Sequence, residues 1–185
     1  MSKKITSLSV LIMGIVLTSC KEETLPKPSA HLRLDYPEAS YADFESECPF
    51  IFDFNINTKV KSSDCDITIH YPKMKATLYL SYKAVEDDLN TLLRDAQKLT
   101  YEHVVKADDI IERPFINSDD KVYGMFYQVG GNAATNTQFY VTDSLQHFIT
   151  GSVYFYAKPN FDSIMPATSY IKNDVQNLME TLRWK

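Results

Sequence analysis

Glycine is scarce in this chain, five in 185 residues, and there are only three cysteines and one tryptophan. So few glycines leave little for a phosphate-cradling loop. Gly130-Gly131 is followed neither by Lys-Ser/Thr nor by a helical pattern, and reads as a hairpin turn. The Gly-x-Ser-x-Gly nucleophile elbow is absent. Four histidines (His31, His70, His103, His147) are scattered without an HxH or HxxxH pair. Asp87-Asp88, Asp108-Asp109 and Asp119-Asp120 lack the spacing of a calcium loop. No metal, cofactor or catalytic residue is therefore expected. Tyr101-Glu102-His103 does not change this, because adjacent helical residues point in different directions. No apolar run reaches the ~20 residues that span a bilayer. Repeats and low-complexity segments are also missing. The net charge is −5, with no basic run, which argues against nucleic acid and against docking on anionic lipid.

What is present starts with Leu17-Thr18-Ser19-Cys20. Lys3 and Lys4 precede an apolar run from Ile5 to Leu17, the layout of a secretory signal. Small residues leading into a cysteine look like a bacterial lipobox. That likeness implies a signal peptide over 1–19 and acyl chains on Cys20. The alternatives are a plain signal with a chance cysteine, or an uncleaved anchor. Membrane contact would then rest on lipid, each buried CH₂ contributing ~0.8 kcal/mol. Cys48 and Cys65 remain, 17 residues apart in an exported chain. A disulfide is expected, worth ~3 kcal/mol for such a loop. The other reading is two buried thiols.

Residues 20–40 carry Pro26, Pro28 and Pro37 among charges and read as a tether, with Leu32, Leu34 and Tyr36 alternating like a short edge strand. Residues 41–185 suit a single domain, and 12 Tyr and 10 Phe can fill its core. Phe50, Phe52, Phe54 and Ile56 alternate as a strand buried on one face. Asn57 to Asp64 reads as a polar turn. Ile67-Tyr71 and Leu78-Tyr82 predict an antiparallel hairpin. Leu89, Leu92, Leu93, Ala96, Leu99 and Val104 then switch to helical spacing, in a helix expected to end by Ala107, with Glu86, Asp87 and Asp88 at the favourable end of the dipole. Ile110 to Phe115 suits an edge strand interrupted at Pro114.

Val122 to Lys158 predicts a three-strand meander turning at Gly130-Gly131-Asn132 and at Asp143-Ser144. Gly124 and Gly151 inside these strands suggest bulges or close backbone approach. Asp162 or Ser163 is the candidate cap of a last helix, with Pro166 near its first turn. Ile171, Val175, Leu178, Met179 and Leu182 form its apolar stripe, and Trp184 closes the core edge. The expected fold is α+β, one antiparallel sheet with two main flanking helices. Tyr140, Tyr154 and Tyr156 share the second face of the meander. They would form a partner surface if a helix covered only the other face.

Several blocks together resemble the gliding-motility lipoprotein D family (GldD) of Bacteroidetes. They include Leu25-Pro26-Lys27-Pro28, Cys48-Pro49-Phe50, Tyr71-Pro72-Lys73-Met74-Lys75-Ala76 and Asp95-Ala96-Gln97-Lys98-Leu99. The most specific is Tyr123-Gly124-Met125-Phe126-Tyr127 with Gly130-Gly131-Asn132-Ala133-Ala134. Gln138 to Ser144 and Tyr154-Phe155-Tyr156 continue the pattern. The resemblance implies a lipoprotein of the gliding machinery, linked to type IX protein secretion, whose partners are other machinery proteins and the membrane through Cys20. It supplies no active site. It places the chain in the cell envelope, with the outer membrane favoured over the inner and the face left open. Lys21-Glu22-Glu23 after the cysteine resembles a surface-export signal of Bacteroidetes lipoproteins, or is an ordinary solvated tether. The element order more weakly resembles the Mog1/PsbP-like fold. A glycan- or peptide-binding module using aromatics around the Gly130 hairpin is the alternative function.

Overall fold

The computed structural model describes residues 36–102, 107–131, 135–156 and 161–185. The signal peptide, Cys20, most of the tether, His31, His103 and Val104 lie outside them. Among the described residues, ten strands and two helices follow one another: β1 (Tyr41–Phe44), β2 (Phe50–Asn55), β3 (Lys59–Ser63), β4 (Asp66–Tyr71), β5 (Ala76–Ala84) and α1 (Leu89–Tyr101). Then come β6 (Ala107–Asn117), β7 (Val122–Gly131), β8 (Thr135–Thr142), β9 (His147–Phe155), α2 (Phe161–Thr181) and β10 (Arg183–Trp184). The predicted α+β architecture with two helices is present. The strands, however, form two sheets rather than one. β1, β2 and β10 make a small sheet, and the other seven run in the order β3-β4-β5-β9-β8-β7-β6. Every recorded pairing is antiparallel.

The expected β4–β5 hairpin and β7–β8–β9 meander both form. β6 is an edge strand, and Pro114 sits within it without interrupting it. The outer position tolerates a residue with no N–H to donate. β5 pairs with β9 along nine residues and joins the two halves of the sheet.

Period-2 alternation sorts the large sheet into two faces. One face carries Ile67, Ile69, Tyr71, Leu78, Leu80, Val153, Phe139, Val141 and Phe126, all buried. The α2 stripe covers it as expected: Ile171, Val175, Leu178, Met179 and the following Leu182 are all at most 2 % exposed. Phe50 and Phe52 of β2 fill the remaining space. Trp184 lies edge-on to Phe50, its ring stacked on His147 at 5.1 Å, and its indole N–H donates to the Lys121 carbonyl.

Gly151 faces this core. A Cβ there would lie 2.0 Å from a ring carbon of Phe139, so the close approach suggested by sequence is a ring seated on bare backbone. The β2 alternation fails at its end. Ile56 is 56 % exposed and Asn55 is buried. Asn55 turns inward because α2 offers it Tyr170 and Asp174, whereas Ile56 follows the last residue of the strand. The α2 start differs too. The helix begins at Phe161, so Asp162 and Ser163 lie within it rather than at its cap, and Pro166 is internal.

Candidate functional site

α1 lies on the opposite face of the large sheet and covers only part of it. Its Leu92 is buried, and the Thr100 hydroxyl donates to Gln138 Oε1 of β8 at 2.7 Å. Asp88 stands at the N-cap, but its carboxylate accepts from the Glu86 N–H at 3.0 Å instead of capping the helix. Between α1 and the sheet lies a cleft of about 160 Å³, with Leu92, Leu99 and Phe148 among its lining residues and Lys83 and Asp95 at its polar positions. The Tyr140 ring belongs to this covered region. It stacks on Phe148 at 5.6 Å and tilts toward Tyr127 at 6.4 Å. Burial raises the Tyr140 pKa, with Glu112 adding to the shift.

Beyond α1 the same face opens. In the β4–β5–β9 register, His70 pairs with Thr77, Thr77 with Tyr154, and Tyr79 with Ser152. Tyr156 follows β9, held by its N–H donating to the Lys75 carbonyl at 2.8 Å. These residues make a connected polar aromatic surface. His70 Nδ1 lies 3.0 Å from Thr77 Oγ1, which donates to the Tyr156 hydroxyl at 3.0 Å. The Tyr79 and Tyr156 hydroxyls are 2.8 Å apart, and the Tyr79 and Tyr154 rings meet edge-on at 5.9 Å. Tyr79 is 43 % and Tyr156 57 % exposed. Of the three tyrosines expected to share a surface, Tyr154 and Tyr156 are together and Tyr140 is apart. Tyr79 is the member that sequence reading missed. Its signal was the alternation Thr77-Tyr79-Ser81, polar residues opposite the core-facing Leu78 and Leu80.

Lysines rim this surface. Lys59 and Lys61 of β3 pair with His70 and Thr68, which puts them on the tyrosine side. Lys73 and Lys75 occupy the β4–β5 turn. Residues 59–75 hold four lysines and two aspartates, in a chain of net charge −5. No basic patch was expected, and this face carries a local lysine excess beside Asp64 and Asp66. The lysines are dispersed in sequence, and two hairpins collect them.

Among the described residues, those at Gly130 offer no comparable platform. Gly130 and Gly131 are buried, and Cβ atoms there would meet Asp109 and Asp108 of β6. Cys48 and Cys65 are disulfide-bonded, with Cα atoms 5.5 Å apart, which ties the approach to β2 to the β3–β4 turn. Both residues of that turn, Asp64 and Cys65, have positive φ (50° and 67°), the type I′ geometry that matches strand twist.

On the core side, a buried carboxylate joins four elements. Asp174 of α2 accepts from the Tyr41 hydroxyl at 2.8 Å and from Asn55 Nδ2 at 2.9 Å. Burial raises its pKa, although hydrogen bonds from Tyr41, Asn55 and Tyr71 oppose the shift. These hydrogen bonds tie β1, β2 and β4 to α2, and Asn55 Nδ2 also donates to the Tyr170 hydroxyl at 2.8 Å. Among the described residues, no group of three or more His, Cys, Asp or Glu is arranged to hold a metal ion. No helix among them is long and apolar enough to cross a membrane.

Fold and surface define a disulfide-bonded α+β domain whose distinctive feature is an open, lysine-rimmed tyrosine face. The family model described as gliding motility lipoprotein GldD matches residues 21–184. The chain belongs to that family. No curated protein and no solved structure matches it.

Proposed function

We propose that this protein is a membrane-anchored lipoprotein component of the gliding-motility machinery, linked to type IX secretion, and that it works through protein contacts. The near full-length family match carries this reading. The anchor in this proposal is acylated Cys20, in the outer membrane rather than the inner. The contact surface is the open half-face with Tyr79, Tyr154 and Tyr156, and Tyr140 supports it from the region next to α1. The order of hairpins, helix, meander and last helix supports a Mog1/PsbP-like fold, a likeness that carries no function by itself.

The test is deletion of the gene followed by colony spreading and secretion of type IX cargo. Loss of both, restored by the wild-type chain, is expected. Normal spreading of the deletion strain would sink the proposal.

A further inference from the structure

Among the described residues, the open half-face ends at an unpaired sheet edge. β3 is the outer strand of the seven-stranded sheet and pairs only with β4 among the described residues. In an antiparallel ladder, alternate residues turn N–H and C=O away from the partner strand. The outer side of β3 therefore offers backbone groups to another strand. Lys59 and Lys61 stand on this edge, two residues apart and exposed on the tyrosine side. Lysines on an edge repel a second copy of the same edge, but they attract a strand of opposite charge. Two acids offset part of this charge: Asp66, on the same face two residues from Lys61's partner Thr68, accepts from Ser81 Oγ at 2.8 Å, and Asp64 sits in the turn, so the lysines keep an excess of positive charge.

We propose that β3 and the tyrosine half-face dock an extended acidic segment of a partner protein. The segment adds as a strand along β3 and sets alternate Asp or Glu side chains opposite Lys59 and Lys61. This deepens the reading of the protein as a contact-making component and rests on it. Main-chain bonds along β3 give affinity and the charge pairs select the partner, as in other strand additions. An anionic lipid headgroup would satisfy the lysines and leave the edge's backbone groups unanswered. A strand satisfies both.

The experiment places a photoreactive residue at Ser62 in the full chain, expressed in gliding cells that lack the native copy. The crosslinked peptide is then sequenced by mass spectrometry. The expected product is a peptide of another envelope protein with acids two residues apart. K59E/K61E should cut the crosslink about tenfold and slow spreading, and lysines at those acids should restore both. Retention of the Cys48–Cys65 bond and the circular dichroism of the purified variant check its fold.

A crosslink to lipid, to residues 21–35 of the same chain, to a second copy, or to a segment without acidic excess overturns the proposal. So does a crosslink indifferent to K59E/K61E. The parent reading fails separately, if the deletion strain spreads normally. If deletion stops spreading while the K59E/K61E strain spreads like wild type, only the acidic docking fails.

Discussion

Two aspartates show how single residues set the pH response. Burial raises the Asp174 pKa above its unfolded value. Its contribution is then fully present below the unfolded pKa and is lost as pH rises through the folded one. For Asp143, burial also acts upward, but N–H groups of Leu145, Gln146 and His147 donate to Oδ1 at 2.8–2.9 Å and the net shift is downward. Its contribution is present above the unfolded pKa and is lost on acidification.

Chemical denaturation across pH should show Asp143→Ala losing ~1–2 kcal/mol at neutral pH and little at low pH, where the carboxylate is protonated in both states. Asp174→Ala should lose ~1–3 kcal/mol through its orphaned buried partners, most of all in acid. Gly151→Val should lower the melting temperature by several degrees, because the Phe139 ring fills the space and is itself buried. A variant that melts like wild type would show that the ring can move away. Asp143-Ser144 and Gly151 were legible in sequence because their signals are local. Asn55 and Asp174 were not, since 119 residues separate partners whose inward turn depends on each other.

Elements with a strong period were readable and those without one were not. The α1 spacing, the α2 stripe and the meander all carry several apolar residues in step. β3 has one, Val60, because an edge strand with an open face buries little, and its residues read as a turn. β10 is two residues long and exists only through its pairing with β2. The disulfide expectation rested on compartment and count, and the structure adds what it holds: the β3–β4 hairpin against the start of β2. Cys48→Ser/Cys65→Ser should lose ~3 kcal/mol in equilibrium unfolding. Hydrogen exchange should show the largest gain in β3 and β4. A uniform gain across the sheet would mean that the bond supports the whole core instead.

For the whole molecule, the sequence showed the family and the class but hid the surface. The lysine rim is built from Lys59, Lys61, Lys73 and Lys75, dispersed over 17 positions of a net acidic chain, so total charge does not reveal it. The proposed anchor has a direct check. Cys20→Ala should leave the membrane pellet after signal removal and appear in the soluble fraction. Full retention in the pellet would mean that something other than lipid holds it.

The disulfide has a mechanical consequence. The tether enters β1 at Tyr41, and β3 is the proposed grip of the partner. With Cys20 as the anchor, tension between membrane and partner would run along residues 41–48, cross from Cys48 to Cys65 and pass into the β3–β4 hairpin at one edge of the seven-stranded sheet, bypassing the other five strands of that sheet. On that path β1 is pulled lengthwise against β2, so its four registered pairs resist together rather than peeling one by one. With the proposed anchor and grip, the covalent bridge would make the domain a short coupling between an anchor and a load, with most of the fold out of the line of force.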